Sequence, residues 1–212
     1  MKLQGSIDLF HYWNQLRNGR AAPQRSEIEP ADIKSLLADT FILERDTRGV
    51  PVFRLAGTRL CATYGRELKG FAFASMWAER DQKTVLRLCQ SAFQDKTVVS
   101  LTFEGLTDTD RSQSFELLLL PLEGGRESLR ALGIVTSRDR PFWLGADPVR
   151  ENVLQSVRLV DPDLEPTFLR SRAAIEVPSL APTDRHINPL DPLAHAGRRV
   201  RHLVVLDGGR GE

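Results

Sequence analysis

A nearly unbroken apolar run from Phe115 to Leu122 is the strongest constraint that this sequence places on its fold. Strict alternation of apolar and polar residues leaves one strand face in water, whereas a continuous run is typical of a central strand. Pro121 falls near the end of the run, where a missing backbone donor matters least. The sequence therefore predicts a central strand that is covered on both faces over at least part of its length.

Other strands are predicted before and after this run in the sequence. Thr40 to Arg45 and Pro51 to Ala56 flank a turn rich in Asp and Gly, which predicts an antiparallel pair. Thr97 to Gly105 alternates apolar and polar residues, and Ala131 to Thr136 supplies the last strand. Asp81 to Gln94 places its apolar residues on one helical face. This order of elements predicts an α+β fold.

An aromatic stripe near the amino terminus predicts a first helix, capped by Ser6 and ended by Gly19. Burying each large apolar side chain gains about 1.5–3 kcal/mol, so the stripe is expected to be covered. Its partner is either the same domain or a second subunit, because both obey the same periodicity. The second alternative predicts a homodimer with these interface residues: Leu9, Tyr12, Trp13 and Leu16.

The final third of the chain has a different character, with eight prolines after Asp139. It is expected to form an extended, partly irregular tail in which Val149 to Leu159 supports a modest helix and His202 to Leu206 an edge strand. A short helix is also expected to begin at Pro30. The predicted organisation is an amino-terminal extension over 1–38, a central domain over 39–140 and a carboxy-terminal extension over 141–212.

Composition favours a soluble globular protein and argues against several partners. The 212 residues include 29 basic and 28 acidic side chains, and this balance disfavours binding of nucleic acid or an anionic membrane. No apolar stretch approaches the roughly 18 residues of a membrane span, and no signal peptide is visible. Cys61 and Cys89 do not form a metal or disulfide framework. The cytoplasm is the expected compartment.

An enzyme is not expected, because no arrangement of nucleophile, base or metal ligands stands out. Asp108, Asp110 and Glu116 carry carboxylates, but the two aspartates lie in a polar segment that is typical of a turn. The sequence therefore predicts no catalytic residue and no metal site.

Two glycine-containing segments, 54–58 and 64–70, place Gly57, Gly65 and Gly70 where glycine's tolerance of positive φ allows the chain to reverse or one backbone to approach another closely. Together with the strand and helix order over 39–137, they make the chain similar to stand-alone PAS-like proteins of alphaproteobacteria. The resemblance extends over about residues 6–145 and rests on these motifs: Trp13, Leu16-Arg17, Gly19-Arg20, Pro23, Arg25, Ile28, Pro30, Phe41 to Glu44, Arg54 to Thr58, Gly65 to Gly70, Trp77 and Leu118 to Leu122.

The resemblance implies a five-stranded antiparallel sheet with helices on one face, and a sensory or ligand-binding module without its own output domain. It places a pocket between the long helix and the sheet, near these residues: Arg54, Tyr64, Phe71, Phe73, Trp77, Cys89, Phe93 and Phe103. The same aromatic residues are equally compatible with a filled core. Arg54 and Glu67 are expected to form a buried pair or to bond local backbone.

No cofactor is expected, because the sequence lacks the residues with which related photosensors and haem sensors hold one. The short helical region from Gly65 to Trp77 has no cysteine, and Asp81 to Gln94 has no histidine. Two functional hypotheses remain. The first is a cytoplasmic sensory module that binds a small molecule, a protein partner or both. The second is a non-sensory homodimeric assembly protein with a filled core.

Overall fold

Three α-helices and eight strands make up the regular structure of the described residues, which are 1–124, 129–164, 197–200 and 203–206 of a computed structural model. The helices are α1 (Gln4–Arg17), α2 (Thr58–Thr63) and α3 (Glu79–Gln94). The strands are β1 (Thr40–Arg45), β2 (Pro51–Ala56), β3 (Val98–Thr107), β4 (Ser112–Leu122), β5 (Arg130–Thr136), β6 (Val149–Val160), β7 (Gly197–Val200) and β8 (Leu203–Leu206).

The first six strands form one antiparallel sheet with the order β2-β1-β5-β4-β3-β6. The α+β class and the antiparallel sheet are confirmed, and β4 is a central strand as its apolar run predicts. The prediction of five strands is corrected to six. In place of a helix beginning at Pro30 the chain forms turns and a 3-10 helix, Leu37–Asp39.

The sixth strand was the main error of the sequence prediction, because Val149 to Leu159 was expected to form a modest helix. The segment instead pairs with β3 along its whole length, from Val98 opposite Val160 to Thr107 opposite Val149. Apolar spacing within one segment carries no information about a neighbouring open strand edge. Without a neighbour, the ten-residue β3 would present a row of unpaired N–H and C=O groups on its second side, and β6 pairs with them.

The central strand β4 supplies apolar side chains to two separate cores. Leu117 and Leu119 belong to a cluster on one side of the sheet. Leu118, Leu120 and Leu122 belong to a cluster on the other side. Because successive side chains of a strand point to opposite faces, an unbroken run of leucine requires a cover on each.

The first cover is formed by α2, α3 and the segment between them. Val85, Cys89, Ala92 and Phe93 form the buried face of α3, in agreement with the spacing of its sequence. They pack on the sheet within the first cluster, which we call the aromatic core.

The second cover is α1, the predicted N-terminal helix, which packs against β4 and β5 on the face opposite α2 and α3. The Trp13 indole Nε1 donates a hydrogen bond of 2.7 Å to the carbonyl of Pro121. Ser6 lies inside the helix rather than at its cap, and its Oγ is 3.0 Å from Oγ1 of Thr136. The buried carboxylate of Glu116 accepts the backbone N–H of Lys2 at 2.7 Å.

The predicted dimer-interface residues are therefore largely occupied within the chain. Leu9 and Trp13 are fully buried against their own sheet, while Tyr12 and Leu16 are partly buried at the margin of the same cluster. This packing is the first of the two alternatives that the aromatic stripe allowed. A homodimer stays a prediction, and any interface would need other surfaces than Leu9 and Trp13.

Two compact units divide the chain, Met1–Arg172 and Ala173–Glu212. The predicted boundaries after residues 38 and 140 fall inside the first unit. In the second unit, β7 pairs antiparallel with β8 in a two-stranded sheet. β8 covers Leu203–Leu206 of the edge strand that was expected from His202 to Leu206, and His202 itself lies outside the described residues. Most of the proline-rich tail lies outside the described residues. Within the described part, no helix is both long and apolar enough to span a membrane.

We expect Trp13→Ala to lower the free energy of unfolding by about 3–5 kcal/mol, because it empties a fully buried site beneath α1. Trp13→Phe should cost about 1 kcal/mol or more, because it leaves the Pro121 carbonyl without its donor. Urea unfolding followed by circular dichroism measures both. The control Leu159→Ala, at a side chain 58% exposed, should change stability by about 0.5 kcal/mol or less. Equal stability of Trp13→Ala and wild type would contradict this packing.

Candidate ligand site beside the aromatic core

Six aromatic rings fill the space between α3 and the sheet. Neighbouring ring centroids lie between 5.0 and 6.0 Å apart, mostly in tilted or edge-to-face pairs. Such pairs contribute about 0.5–1.5 kcal/mol each beyond their buried area. The connected rings are Phe41, Phe53, Phe73, Trp77, Phe103 and Phe115.

The structure brings together six of the eight residues that the sequence places at a pocket. These side chains are buried members of the aromatic core: Tyr64, Phe73, Trp77, Cys89, Phe93 and Phe103. Their packing agrees with the filled-core alternative. Contact of these residues with a ligand stays a prediction.

Arg54 and Phe71 do not join this group. The Arg54 side chain is 54% exposed and its Nη1 lies 3.4 Å from Oε1 of Glu44. The first alternative, an Arg54–Glu67 pair, is wrong, whereas Glu67 does bond local backbone as the second predicted, because its Oε1 accepts the Lys69 N–H at 3.4 Å. The same oxygen lies 3.8 Å from the Cys61 thiol. Phe71 is 41% exposed.

One buried polar group interrupts the aromatic core. Tyr64 donates its hydroxyl to Oδ1 of Asn152 at 3.2 Å, and the Asn152 amide donates back to the same hydroxyl at 3.0 Å. Burial raises the pKa of Tyr64 well above its ordinary value, while the bond to Asn152 acts in the opposite direction. Among the described residues, no acceptor contacts the buried indole Nε1 of Trp77. Asn152 was missed in sequence because it lies in β6, where a helix was predicted.

The two cysteines are thiols of low reactivity rather than activated nucleophiles. Cys89 is buried on α3, and burial raises its pKa to about 12. Partial burial also raises the pKa of Cys61, and the nearby Glu67 carboxylate contributes in the same direction. Activated cysteines have lowered pKa values. In the described ranges, no group of three or more His, Cys, Asp or Glu side chains has the arrangement of a metal site.

A small cleft opens beside the aromatic core, between α2 and the segment that connects β5 to β6. Its volume is about 100 Å³. We call it the Asp39 cleft, and it is lined by Asp39, Arg59, Leu60, Ala62, Thr63, Phe115, Val135, Ser137, Arg140, Leu144 and Gly145.

Two guanidinium groups share one carboxylate at the mouth of this cleft. Arg59 donates from Nε to Oδ1 of Asp39 at 3.0 Å and from Nη2 to Oδ2 at 2.6 Å. Arg140 donates from Nη2 to the same Oδ1 at 2.8 Å. The Asp39 side chain is 14% exposed, whereas the two arginine side chains are nearly half exposed. The mouth thus carries a net positive charge and guanidinium donors that face solvent.

The floor of the cleft is apolar and continuous with the aromatic core. Leu60, Phe115 and Val135 line the cleft and also belong to that core. A molecule bound here would contact side chains that pack directly on the sheet. The arrangement is chemically suited to an anion with a short apolar part.

Gly57, the residue before α2, allows the start of that helix to lie close to the 3-10 helix Leu37–Asp39. This approach forms the mouth of the cleft. A Cβ at Gly57 would be 2.2 Å from the carbonyl oxygen of Leu37 and 2.4 Å from that of Ala38. The Gly57 N–H donates to the Thr40 carbonyl at 2.8 Å. This close approach positions Arg59, two residues later, opposite Asp39. Of the two roles that the sequence allowed for Gly57, a chain reversal through positive φ or a close backbone approach, the structure shows the second, since its φ is −69°.

The cleft residues themselves were missed in the sequence analysis. Asp39, Arg59 and Arg140 lie far apart in the chain, and each is an ordinary surface residue type without a motif. Their meeting depends on strand pairing, because β1 begins just after Asp39 and β5 ends just before the segment with Arg140.

This antiparallel sheet, with short helices and one longer helix packed on a face, defines the PAS class of α+β domains. A family of PAS domains matches residues 1–136, and the chain belongs to that family. One similar solved structure is the PAS domain of a protein from Colwellia psychrerythraea, at 15% identity, 51% coverage of this chain, 97% coverage of that chain and a TM-score of 0.38. No curated protein matches the chain.

Gly57→Ala is expected to destabilise the fold by about 1–3 kcal/mol or more, because the added methyl group meets backbone oxygens that cannot rotate away. Thermal unfolding followed by circular dichroism tests this. Gly49→Asn is the matched control: its φ is 84°, nothing lies within 4 Å, and asparagine tolerates the left-handed region. A Gly57→Ala protein as stable as wild type would exclude the close approach.

Alkylation should distinguish the two thiols in the native protein. With iodoacetamide at pH 8.5, we expect Cys61 to be modified first and Cys89 only after denaturant is added, as measured by peptide mass spectrometry.

The folded-state pKa of Cys89, about 12, exceeds its ordinary value of 9.0. The neutral thiol therefore supports folding below pH 9, and this contribution is lost as the pH rises toward 12. Cys89→Ala should lose less stability than wild type over that range; an identical pH dependence would contradict this.

Proposed function

We propose that the chain is a sensory PAS module that detects a small monocarboxylate in the Asp39 cleft. Membership of the PAS family supports a sensory or interaction role in general. A fold hosts many functions, so the choice of ligand is argued from the site. The observation that carries the proposal is the pair of guanidinium groups held on one carboxylate above an apolar floor.

The chemistry of the mouth favours a carboxylate ligand. Arginine presents a planar set of donors that matches the two oxygens of a carboxylate. Asp39 already accepts hydrogen bonds from the guanidinium groups of Arg59 and Arg140, and so its carboxylate competes with an incoming anion for these donors. Thr63 and Ser137 provide further polar side chains along the wall.

The size of the cleft limits the ligand to a few heavy atoms. A volume of about 100 Å³ corresponds to about three water molecules at roughly 30 Å³ each. Acetate or propionate fits such a space, with the carboxylate at the mouth and the alkyl group on Leu60, Phe115 and Val135. Larger aromatic cofactors are too big for this cleft.

Binding has a direct route to the sheet. Arg140 lies on the segment between β5 and β6, while Asp39 immediately precedes β1. A ligand that replaces Asp39 as the partner of Arg140 would change the tether between these two elements. A signal requires that the ligand bind one arrangement of that tether better than the other.

A second candidate is a non-sensory interaction module with a filled interior. The unbroken contacts among the six rings of the aromatic core favour it. In that case the protein acts through its surface, as a homodimer or with another protein. For either function we propose the cytoplasm as the compartment, since Cys61 and Cys89 are both free thiols.

Titration calorimetry with sodium propionate tests the sensory proposal. Wild type should show saturable binding, and Arg140→Ala should weaken it about tenfold or more through loss of a charge-assisted hydrogen bond. Asp39→Asn should bind propionate more tightly than wild type, because the competing carboxylate is removed. Arg48→Ala is the control, since this side chain is 80% exposed in the β1–β2 turn.

Two outcomes would count against a carboxylate sensor. One is absence of saturable binding to the folded wild type, and the other is equal binding by wild type and Arg140→Ala. Propionamide, which has nearly the same shape but no charge, should not bind. If propionamide bound as well as propionate, the guanidinium groups would not be the recognition element.

A further inference from the structure

Four positively charged side chains line a second, larger groove on the α1 side of the sheet. The groove has a volume of about 370 Å³ and is lined by Arg25, Ile42, Arg54, Leu55, Lys69 and Arg130. Ile42 belongs to the core beneath α1, so the groove lies on the part of this face beside that helix. It is separate from the Asp39 cleft and shares no lining residue with it.

The charge of this groove is strongly unbalanced. Of the residues that line it, four are cationic and none is anionic. Glu44 contacts two of them, with Oε1 at 3.4 Å from Nη1 of Arg54 and Oε2 at 3.5 Å from Nε of Arg130. One carboxylate against four cations leaves an excess of about three positive charges. A chain whose overall charge is +1 concentrates positive potential here.

The cations come from successive elements and form a row across the strands. Arg130 lies on β5 and Arg54 on β2, and β1 lies between these strands. Lys69 precedes the segment that bonds to the outer side of β2, where Gly70 donates to the Phe53 carbonyl at 2.7 Å. At about 4.8 Å between strands, the row from Arg130 to Lys69 spans roughly 14 Å.

The total length of this row, rather than its individual intervals, fits an extended chain with acidic side chains on one face. Alternate residues of an extended peptide lie roughly 6.6–6.8 Å apart, so three of them span about 13 Å. The oxygens of a single phosphate group lie much closer together than the cations of this row. Leu55, which is 50% exposed, offers an apolar contact along the same groove.

We propose that this basic groove docks an extended acidic segment of a partner protein, with glutamate or aspartate at every second position. The segment lies across β5, β1 and β2, and its carboxylates pair with Arg130, Arg54 and Lys69. An apolar side chain between them contacts Leu55. The binding surface thus lies on the sheet face opposite the aromatic core, and it functions independently of any ligand in the Asp39 cleft.

Fluorescence anisotropy with a labelled peptide, Glu-Leu-Glu-Ala-Glu-Leu-Glu, tests this proposal at low and physiological salt. Wild type should bind the peptide saturably, with affinity that decreases as salt increases. Arg54→Glu combined with Lys69→Glu should weaken binding roughly tenfold or more. Both side chains are exposed, so this variant is expected to fold. Arg130→Gln is a second variant, which removes one cation without adding a negative charge.

The matched control is Arg48→Glu combined with Arg150→Glu, which changes the net charge by the same amount at two exposed sites outside the groove. It should retain most of the affinity. If both double variants lost the same amount of affinity for the peptide, the binding would be explained by the net charge of the protein alone, and the proposal would be overturned. A peptide of the same composition with its four glutamates in one block should bind more weakly, and equal binding would exclude the alternating spacing.

Inorganic pyrophosphate provides the remaining test. If it binds wild type more tightly than the peptide does, and Arg54→Glu with Lys69→Glu abolishes that binding, then the groove is a phosphate site and the proposal is wrong. Weak competition by pyrophosphate, no greater than that of sodium sulfate at the same ionic strength, supports a protein partner. Propionate should not displace the peptide, which separates this result from that of the Asp39 cleft.

Discussion

The burial of β4 on both faces is the constraint on which the rest of the structure depends. Alternate leucines of this strand enter two cores, and neither set can remain in water. The sheet must therefore carry α3 with the aromatic core on one side and α1 on the other. The indole of Trp13 connects the second cover to β4 itself, because its donor reaches the Pro121 carbonyl within that strand. The tether from Glu116 to the backbone before α1 adds a second link between the same two elements.

This two-sided construction places the two proposed sites on different parts of the sheet. The Asp39 cleft borders the aromatic core, where ligand contacts reach Leu60, Phe115 and Val135. The basic groove lies beside α1, on the other face. Strands β1 and β5 take part in both, since Asp39 precedes β1, Val135 lies on β5, and Ile42 and Arg130 lie on the same two strands. The two sites thus share a strand pair but no lining residue.

Both sites use the same local device, a carboxylate held between two arginines. Asp39 pairs with Arg59 and Arg140, and Glu44 contacts Arg54 and Arg130. The two carboxylates are mostly shielded from solvent, at 14% exposed for Asp39 and 25% for Glu44, so each ion pair also helps to hold its neighbouring segments together. The proposals for both sites rest on the arginines that these carboxylates hold at concave surfaces beside apolar residues. The two sites differ in volume, about 100 and 370 Å³, and for this reason a small ligand is proposed for the first and an extended one for the second.

Local sequence patterns correctly predict the elements whose apolar periodicity is unambiguous: the hairpin of β1 and β2, the long helix α3, and β3, β4 and β5. They also predict either a reversal or a close backbone approach at Gly57. Each of these segments carries its own periodicity, so neighbouring residues are enough to recognise it. The strand β6 could be recognised only from the folded chain, since its partner is the free edge of β3, which no local pattern records. The folded chain also shows that the aromatic stripe of α1 packs on the sheet of the same molecule, and that Asp39, Arg59 and Arg140 lie together. Pairing and packing join residues that are distant in the chain, and a sequence pattern describes neighbours alone.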